Sequence, residues 1–307
     1  MHQPRIDRAA WLQLAAAIVL FGLAWPAIKL GLAEATPLWF AVARIGLAGL
    51  TAVVVLALLG QLSWPGRRDW PVILSVGIFQ ITCFFPLANL GVAVVPAGRS
   101  GVLAYTMTLW MVPLALVSGE RIGWRTAAGA LLGLAGVAVI VDPWHFDWSD
   151  RATLFGHVCL LLAALSWAIA ILHARRHTWH MTPLQVLPWQ MGLATILVAI
   201  LAAVFEPQGY IHFDRPVVQG TLFLLGTLGA LATWAAVSVA RAMPPVTSSL
   251  AMLGVPLFSI AASLVLLGEP ITWPLSVGTA LVVAGIAIVI VDRKPQDIGG
   301  SVSFPTD

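Results

Sequence analysis

The chain has 307 residues, of which 60% are hydrophobic and 9% charged, with a formal net charge of +3 and a mean hydropathy of +0.94. A water-soluble globule of this size needs far more charged surface, so the composition excludes a soluble enzyme or binding domain and indicates an integral membrane protein. The sequence pI of about 9.3 does not point to nucleic acid, because the 16 Lys and Arg stand singly or in pairs beside apolar runs, as topology signals do.

The polar start MHQPRIDRAA leads into an apolar run without a small-residue cleavage site, so the first hydrophobic segment is expected to stay as a span. Apolar runs of about 18 to 23 residues predict helices near 11–33, 37–59, 71–92, 97–118 and 124–141, then near 154–174, 183–205, 217–240, 246–267 and 273–291. These runs lack the two-residue alternation of a barrel strand, so the predicted fold is all-α, with ten transmembrane helices. Pro37, Pro71, Pro183, Pro216 and Pro245 punctuate helix starts, where a missing backbone donor is harmless. The expected organisation is a short N-terminal segment 1–10, a first set of five helices 11–141, a linker 142–153, a second set 154–291 and a polar tail 292–307. The only cysteines, Cys83 and Cys159, lie inside apolar runs with no CxxC or His-rich partner, so no disulfide, metal site or cofactor is expected.

Basic residues set the expected orientation. With the N-terminus inside, the cytoplasmic ends carry Arg5, Arg8, Arg67, Arg68, Arg121, Arg125, Arg175, Arg176, Arg241, Arg293 and Lys294, and the outer ends only Lys29, Arg99, Arg151 and Arg215. Eleven against four places both termini in the cytoplasm. Tryptophans near span ends, such as Trp11, Trp39 and Trp64, read as interface anchors.

The chain also repeats itself. Val95 to Trp124 reads VPAGRSGVLAYTMTLWMVPLALVSGERIGW, and 149 positions later Pro244 to Trp273 reads PPVTSSLAMLGVPLFSIAASLVLLGEPITW. Without a gap this superposes Pro96 on Pro245, Ser100 on Ser249, Gly119-Glu120 on Gly268-Glu269, and Trp124 on Trp273. GVAVIVD ending at Asp142 is likewise answered by GIAIVIVD ending at Asp292. Each copy holds an odd number of spans, so the two lie in the bilayer in opposite orientations, an arrangement used by secondary transporters with a substrate site between the repeats.

Two fused five-helix repeats, each with a Pro-started fourth helix ending in Gly-Glu and a Gly-rich fifth helix, resemble the EamA branch of the drug/metabolite transporter superfamily. The resemblance runs from about Ala10 to Asp292 and rests on Trp25 and Trp167, Pro96 and Pro245, and the two Gly-Glu pairs. Within that branch the chain is similar to bacterial exporters of aromatic amino acids. One departure is visible: Pro256 stands 13 residues before Glu269, whereas Pro113 is only 7 before Glu120, so the two fourth helices are expected to bend at different heights.

The resemblance implies a cavity lined by the first, third and fourth helices of each half. Candidate wall residues are Trp25, Gln80, Phe84 and Asn89, then Tyr105 and Thr108, in the first half, and Trp167, Trp234, Ser238, Ser249 and Met252 in the second. Gln80 and Phe84 share a helix face, and Pro86 nearby removes a backbone donor and kinks the helix. Each hydroxyl has a plainer reading as a bond to its own helix, and each aromatic as helix packing. Indole and phenol rings suit apolar or aromatic solutes, and cations at the ring face.

Arg44 is the one charge well inside a span; it is expected to snorkel to the outer surface, the alternative being that it meets a substrate carboxylate. Lys29 reads as interfacial. Glu120 and Glu269 are expected to hold the turn into the following helix. Gly129, Gly133 and Gly136, with Gly278 and Gly285, read as close helix packing within the bundle, and monomer or homodimer is left open. None of the thirteen acidic residues is near a midplane, and His157 and His173 are weak proton carriers, so a facilitator or exchanger without obligatory proton coupling is expected. The expected partners are a small-molecule substrate and the lipid bilayer. The expected function is alternating-access transport of small organic solutes in a bacterial inner membrane, with amino-acid export foremost. A drug or nucleotide-sugar carrier is the alternative, and an intramembrane enzyme is set aside for want of a buried nucleophile with its base.

Overall fold

The structure, a computed structural model, describes residues 8–119, 122–142, 144, 149–177 and 180–292. Arg5, Glu120, Arg121, Trp148, Trp179, Arg293, Lys294 and the tail beyond Asp292 lie outside the described residues. Among the described residues, ten helices are long and apolar enough to cross a membrane: α1 (Arg8–Gly31), α2 (Pro37–Leu58), α3 (Trp70–Val94), α4 (Ala97–Val117), α5 (Trp124–Val141), α6 (Arg151–Arg176), α7 (Pro183–Phe205), α8 (Pro216–Val239), α9 (Val246–Leu267) and α10 (Trp273–Asp292). Strand pairing among the described residues is limited to the single bridge Ala35↔Ile211.

The main packing partners are α2 with α7, α5 with α10, α1 with α8 and α9, and α6 with α3 and α4. Exchanging each helix for the one five places along maps this set onto itself, as two related halves require. The α5–α10 seam is close enough to exclude side chains. A Cβ on Gly136 would stand 2.7 Å from the Gly278 carbonyl oxygen, and one on Gly285 would stand 2.5 Å from the Gly129 oxygen. The glycine stripes are therefore occupied within the chain, where small residues let backbones approach without a hydrophobic driving force.

Helix ends are the costly places in such a bundle, because the first-turn amides have no partner within their own helix. Three ends are capped locally, one of them that of α10, where Thr272 Oγ1 accepts the Leu275 amide at 3.4 Å. Thr182 and Gln185 form a reciprocal capping box at α7, the pattern T-x-x-Q, and Asp150 accepts the Thr153 amide at 3.1 Å at the start of α6. Three others are capped by acids from far along the chain. Glu206 accepts the Leu38 amide of α2 at 3.1 Å, Glu269 accepts Ala97 and Gly98 of α4 at 2.7 and 3.0 Å, and Asp292 accepts the Thr126 amide of α5 at 3.0 Å. Each of these acids lies in the second half and caps a helix of the first. The expectation that Glu269 holds the turn into the following helix is thereby corrected: the end of α9 lies beside the start of α4, and two free amides there attract the carboxylate more strongly than its own turn does.

Other side chains tie separate elements together. Lys29 donates to the Val92, Ala93 and Val95 carbonyls at 2.7, 3.0 and 3.2 Å, placing a cation on the last turn of α3. Trp39 Nε1 donates to the Glu206 carbonyl at 3.0 Å. At the opposite end Asp69 accepts the His180 and Met181 amides, both at 3.2 Å, which ties the α2–α3 connection to the α6–α7 connection.

Four helices are irregular in mid-course. α3 widens into a π turn over Val76–Cys83 and α8 over Phe223–Leu228. In α3 Pro86 cannot donate to the carbonyls one turn back, and Thr82 Oγ1 takes up the Gly77 carbonyl at 2.8 Å. α4 is broken at Thr106, between Ala97–Tyr105 and Met107–Val117, and α9 at Met252 and Leu253, between Pro245–Ala251 and Gly254–Leu267. The first pieces have 9 and 7 residues, so the breaks differ in depth by only about 3 Å at 1.5 Å per residue. The expectation of bends at different heights is corrected, because neither Pro113 nor Pro256 sets the break; Pro113 lies inside a helix and Pro256 in the first turn of the second piece, where no donor is missed.

Gly136→Val or Gly285→Val should destabilise the bundle by about 1–3 kcal/mol through overpacking, seen as a lower melting midpoint in detergent. Gly192→Ala, where an added Cβ meets nothing within 4 Å, should leave the midpoint unchanged or raise it. Equal midpoints in all three would contradict the close α5–α10 seam.

Candidate functional site

The irregular turns converge on one cavity of about 450 Å³, within the roughly 300–1,000 Å³ of small-molecule sites. Non-helical backbone at membrane depth is tolerated where it lines such a space. Gln80 and Ile81 reach it from the π turn of α3, Leu224 and Leu225 from that of α8, Tyr105 and Met107 from the break in α4, and Met252 from the break in α9. Ile45 and Ala48 of α2 and Leu187, Gln190 and Met191 of α7 also line it. The wall therefore includes the second helix of each half, beyond the first, third and fourth that the sequence implied.

Of the candidate residues, Trp25, Gln80, Phe84, Tyr105, Trp167 and Met252 line the cavity, together with Arg44. Phe84 stacks edge-on against Trp167 with ring centres 4.6 Å apart and against Phe85 at 5.5 Å. The remaining candidates lie elsewhere, for identifiable reasons. Trp234 is 45% exposed, and Ser238 donates to the Trp234 carbonyl at 2.9 Å. The π turn in α8 inserts a residue and rotates the rest of the helix by about 100°, bringing Thr233, Ala236 and Val237 to the cavity instead. Thr108 comes after the break in α4, where the wall positions are Tyr105 and Met107, and Ser249 lies in the first piece of α9, of which only the residue at the break, Met252, reaches the wall.

Asn89 acts one step removed. It is fully buried, donates from Nδ2 to the Pro37 carbonyl at 2.9 Å and accepts from Arg44 at 3.3 Å through Oδ1. Arg44 lies over the Phe85 ring, 4.5 Å from its centre, and is 7% exposed. The expectation that Arg44 snorkels to the surface is corrected: the Asn89 amide, itself fixed by Pro37, and the Phe85 face hold the guanidinium inward.

Gln190, at 3% exposure, escaped the sequence reading, and its Nε2 has no hydrogen-bond partner among the described residues. A signal for it exists. Gln190 stands seven positions after Pro183, as Arg44 stands seven after Pro37, so the two occupy matching places in α7 and α2. Of the two histidines, His157 bonds the Thr153 carbonyl of its own helix at 2.8 Å and His173 stacks on His177; neither lines the cavity.

The bundle is closed at the end that carries Lys29. There the first piece of α4 packs on the second piece of α9, with Gly101 against Ser259 and Gly98 against Ser263. The Ser259 and Ser263 hydroxyls are buried and have no partner among the described residues. The opposite pieces, Met107–Val117 and Pro245–Ala251, are not in comparable contact.

A polytopic helical bundle with a central cavity between matching halves, built on broken helices, defines a membrane transporter. The model of the EamA-like transporter family matches residues 8–142 and 154–291, and the chain belongs to that family. It is 29% identical over 290 residues to the uncharacterized transporter YvbV of Bacillus subtilis, covering 93% of this chain and 92% of the relative. It is also 29% identical over 290 residues to a probable terminal-alkyne amino-acid exporter of Streptantibioticus cattleyicolor, covering 93% and 94%. A probable amino-acid metabolite efflux pump of Salmonella typhimurium is 26% identical over 286 residues, covering 88% and 91%. A solved crystal structure shares the fold with a TM-score of 0.62 at 21% identity, covering 92% of this chain and 98% of the other.

The closed end gives a direct test. With Cys83 and Cys159 replaced by Ala, a Ser259→Cys variant should react slowly with a maleimide, and adding Glu269→Ala should speed the reaction about fivefold, since a lost cap costs roughly 1 kcal/mol. An unchanged rate would show that the Glu269 cap does not hold this end shut.

Proposed function

We propose that the protein carries small organic solutes, amino acids or their metabolites foremost, outward across a bacterial inner membrane. The two halves, 11–141 and 154–291, act as inverted repeats that rock about the cavity, with both termini in the cytoplasm. The observation that carries this reading is the aromatic-walled cavity at the breaks of α4 and α9, closed at one end and flanked at the other by helix pieces that are not packed together. Exchange of the two halves' roles would close the second end and open the first, which is alternating access. The relatives named as amino-acid exporters support the cargo class, and the excess of basic residues at the terminal end supports the orientation.

Trp25, Phe84, Tyr105 and Trp167 offer ring faces and edges to an apolar body, and Gln80 an amide. No lining residue among those described is Asp, Glu, Lys or His, which favours movement down the solute gradient or exchange over obligatory proton coupling. The single guanidinium suits small monoanions or neutral solutes better than polyanionic cargo.

Counterflow in proteoliposomes loaded with the twenty amino acids tests the reading. Accumulation of a labelled subset, without an imposed pH gradient, is the expected result. Gln80→Ala, Tyr105→Phe and Trp167→Ala should each lower the rate severalfold with normal membrane insertion. No accumulation of any amino acid from folded protein would withdraw the cargo class, and collapse of uptake without a pH gradient would withdraw the uncoupled mechanism.

A further inference from the structure

Arg44 is a charged side chain in the wall of a membrane cavity to which none of the described residues brings a counter-charge. Its guanidinium makes one hydrogen bond, to Asn89, and one ring contact, with Phe85, and no carboxylate lies within ion-pair distance of it among the described residues. Five N–H donors with a single acceptor leave the fork of the guanidinium open, and that planar fork matches a carboxylate in bidentate geometry. A buried cation is costly unless it is paired or its donors are satisfied. Asn89 and Phe85 orient it but do not neutralise it.

The surroundings give the rest of the ligand's shape. From Arg44 a continuous series of ring contacts runs through Phe85 and Phe84 to Trp167, so a negative charge at Arg44 places an attached apolar body along aromatic walls. Gln190, at the matching place in the other half, supplies the second observation: a buried amide that lines the same cavity, with an Nε2 unpartnered among the described residues. No described lining residue carries a negative charge that would meet an ammonium.

We infer that Arg44, positioned by Asn89 and Phe85, is the anchor for a substrate carboxylate, and that the cavity takes monocarboxylates with an aromatic or apolar body, the ammonium group contributing little. This rests on the cavity being the transport site but not on the cargo being amino acids. The carboxylate is the feature recognised; the rings read size and apolarity.

Four ligands with one phenyl-alkyl body separate the charges: L-phenylalanine, 3-phenylpropionate, phenethylamine and phenylalaninamide. Equilibrium binding of each to the purified full-length protein should show the two carboxylates at least about tenfold tighter than the amine and the amide, in line with a charge-assisted pair. Arg44→Gln should erase that difference, Arg44→Lys should restore part of it, since an ammonium keeps the charge but not the fork, and Asn89→Ala should weaken only the carboxylates. Gln190→Leu should weaken binding less than Arg44→Gln does.

Amine or amide binding as tight as the carboxylates would overturn the inference. So would phenylalanine binding without 3-phenylpropionate binding, which would make the ammonium essential, or no binding of any of the four. The wild-type comparison decides between these outcomes even if Arg44→Gln fails to fold. Carboxylate binding without amino-acid counterflow would refute the amino-acid cargo and leave this inference standing.

Discussion

In the hydrocarbon core of a bilayer no water satisfies backbone groups or charges, and where helix ends are packed against their neighbours the chain itself supplies the partner. The structure meets that constraint across the two halves of the sequence. Carboxylates of Glu206, Glu269 and Asp292 reach back to the starts of α2, α4 and α5, and Lys29 closes the end of α3. Alongside the local caps of α6 and α7, these long-range caps tie the starts of three first-half helices to the second half in one interlocked bundle. The glycine seam between α5 and α10 brings the same halves together by contact rather than by charge.

Where this satisfaction is incomplete, the candidate site lies. The π turns and breaks of α3, α4, α8 and α9 face one cavity, as irregular backbone in a membrane must. Among the described residues, Ser259 and Ser263 keep unpartnered hydroxyls in the closed contact between α4 and α9. A packed interface with orphaned hydroxyls separates at lower cost than an apolar one, because water regains them on opening. The contact between α4 and α9 is thus held by a capping carboxylate and small residues.

The composition, the lengths of the apolar runs and the prolines are enough to place ten helices, because span length is fixed by bilayer thickness and does not depend on the partner. The helix termini agree within a few residues; α6 begins at Arg151 where the hydrophobic run suggests 154, since a capped polar turn precedes the apolar part. Side-chain direction is harder. An unbroken helical period assigns Trp234 and Ser238 to the cavity, and the π turn in α8 rotates them away. Depth alone makes Arg44 a surface-seeking charge, whereas its inward hold depends on Asn89, 45 positions distant in sequence. Gln190 is hidden for the opposite reason: a single amide in an apolar run has no local pattern, and only its match to Arg44 across the repeats marks it.

The central claim is that the cavity opens alternately to the two sides of the membrane. Met252, at the break in α9 and on the cavity wall, offers the place to test it with a Met252→Cys variant lacking the two native cysteines. Sealed vesicles of known orientation would be treated with a membrane-impermeant maleimide from either side, with and without a transported solute. Reaction from both sides is expected, with the solute changing the two rates in opposite directions. Reaction from one side only, unmoved by solute, would describe a fixed pocket and contradict alternating access.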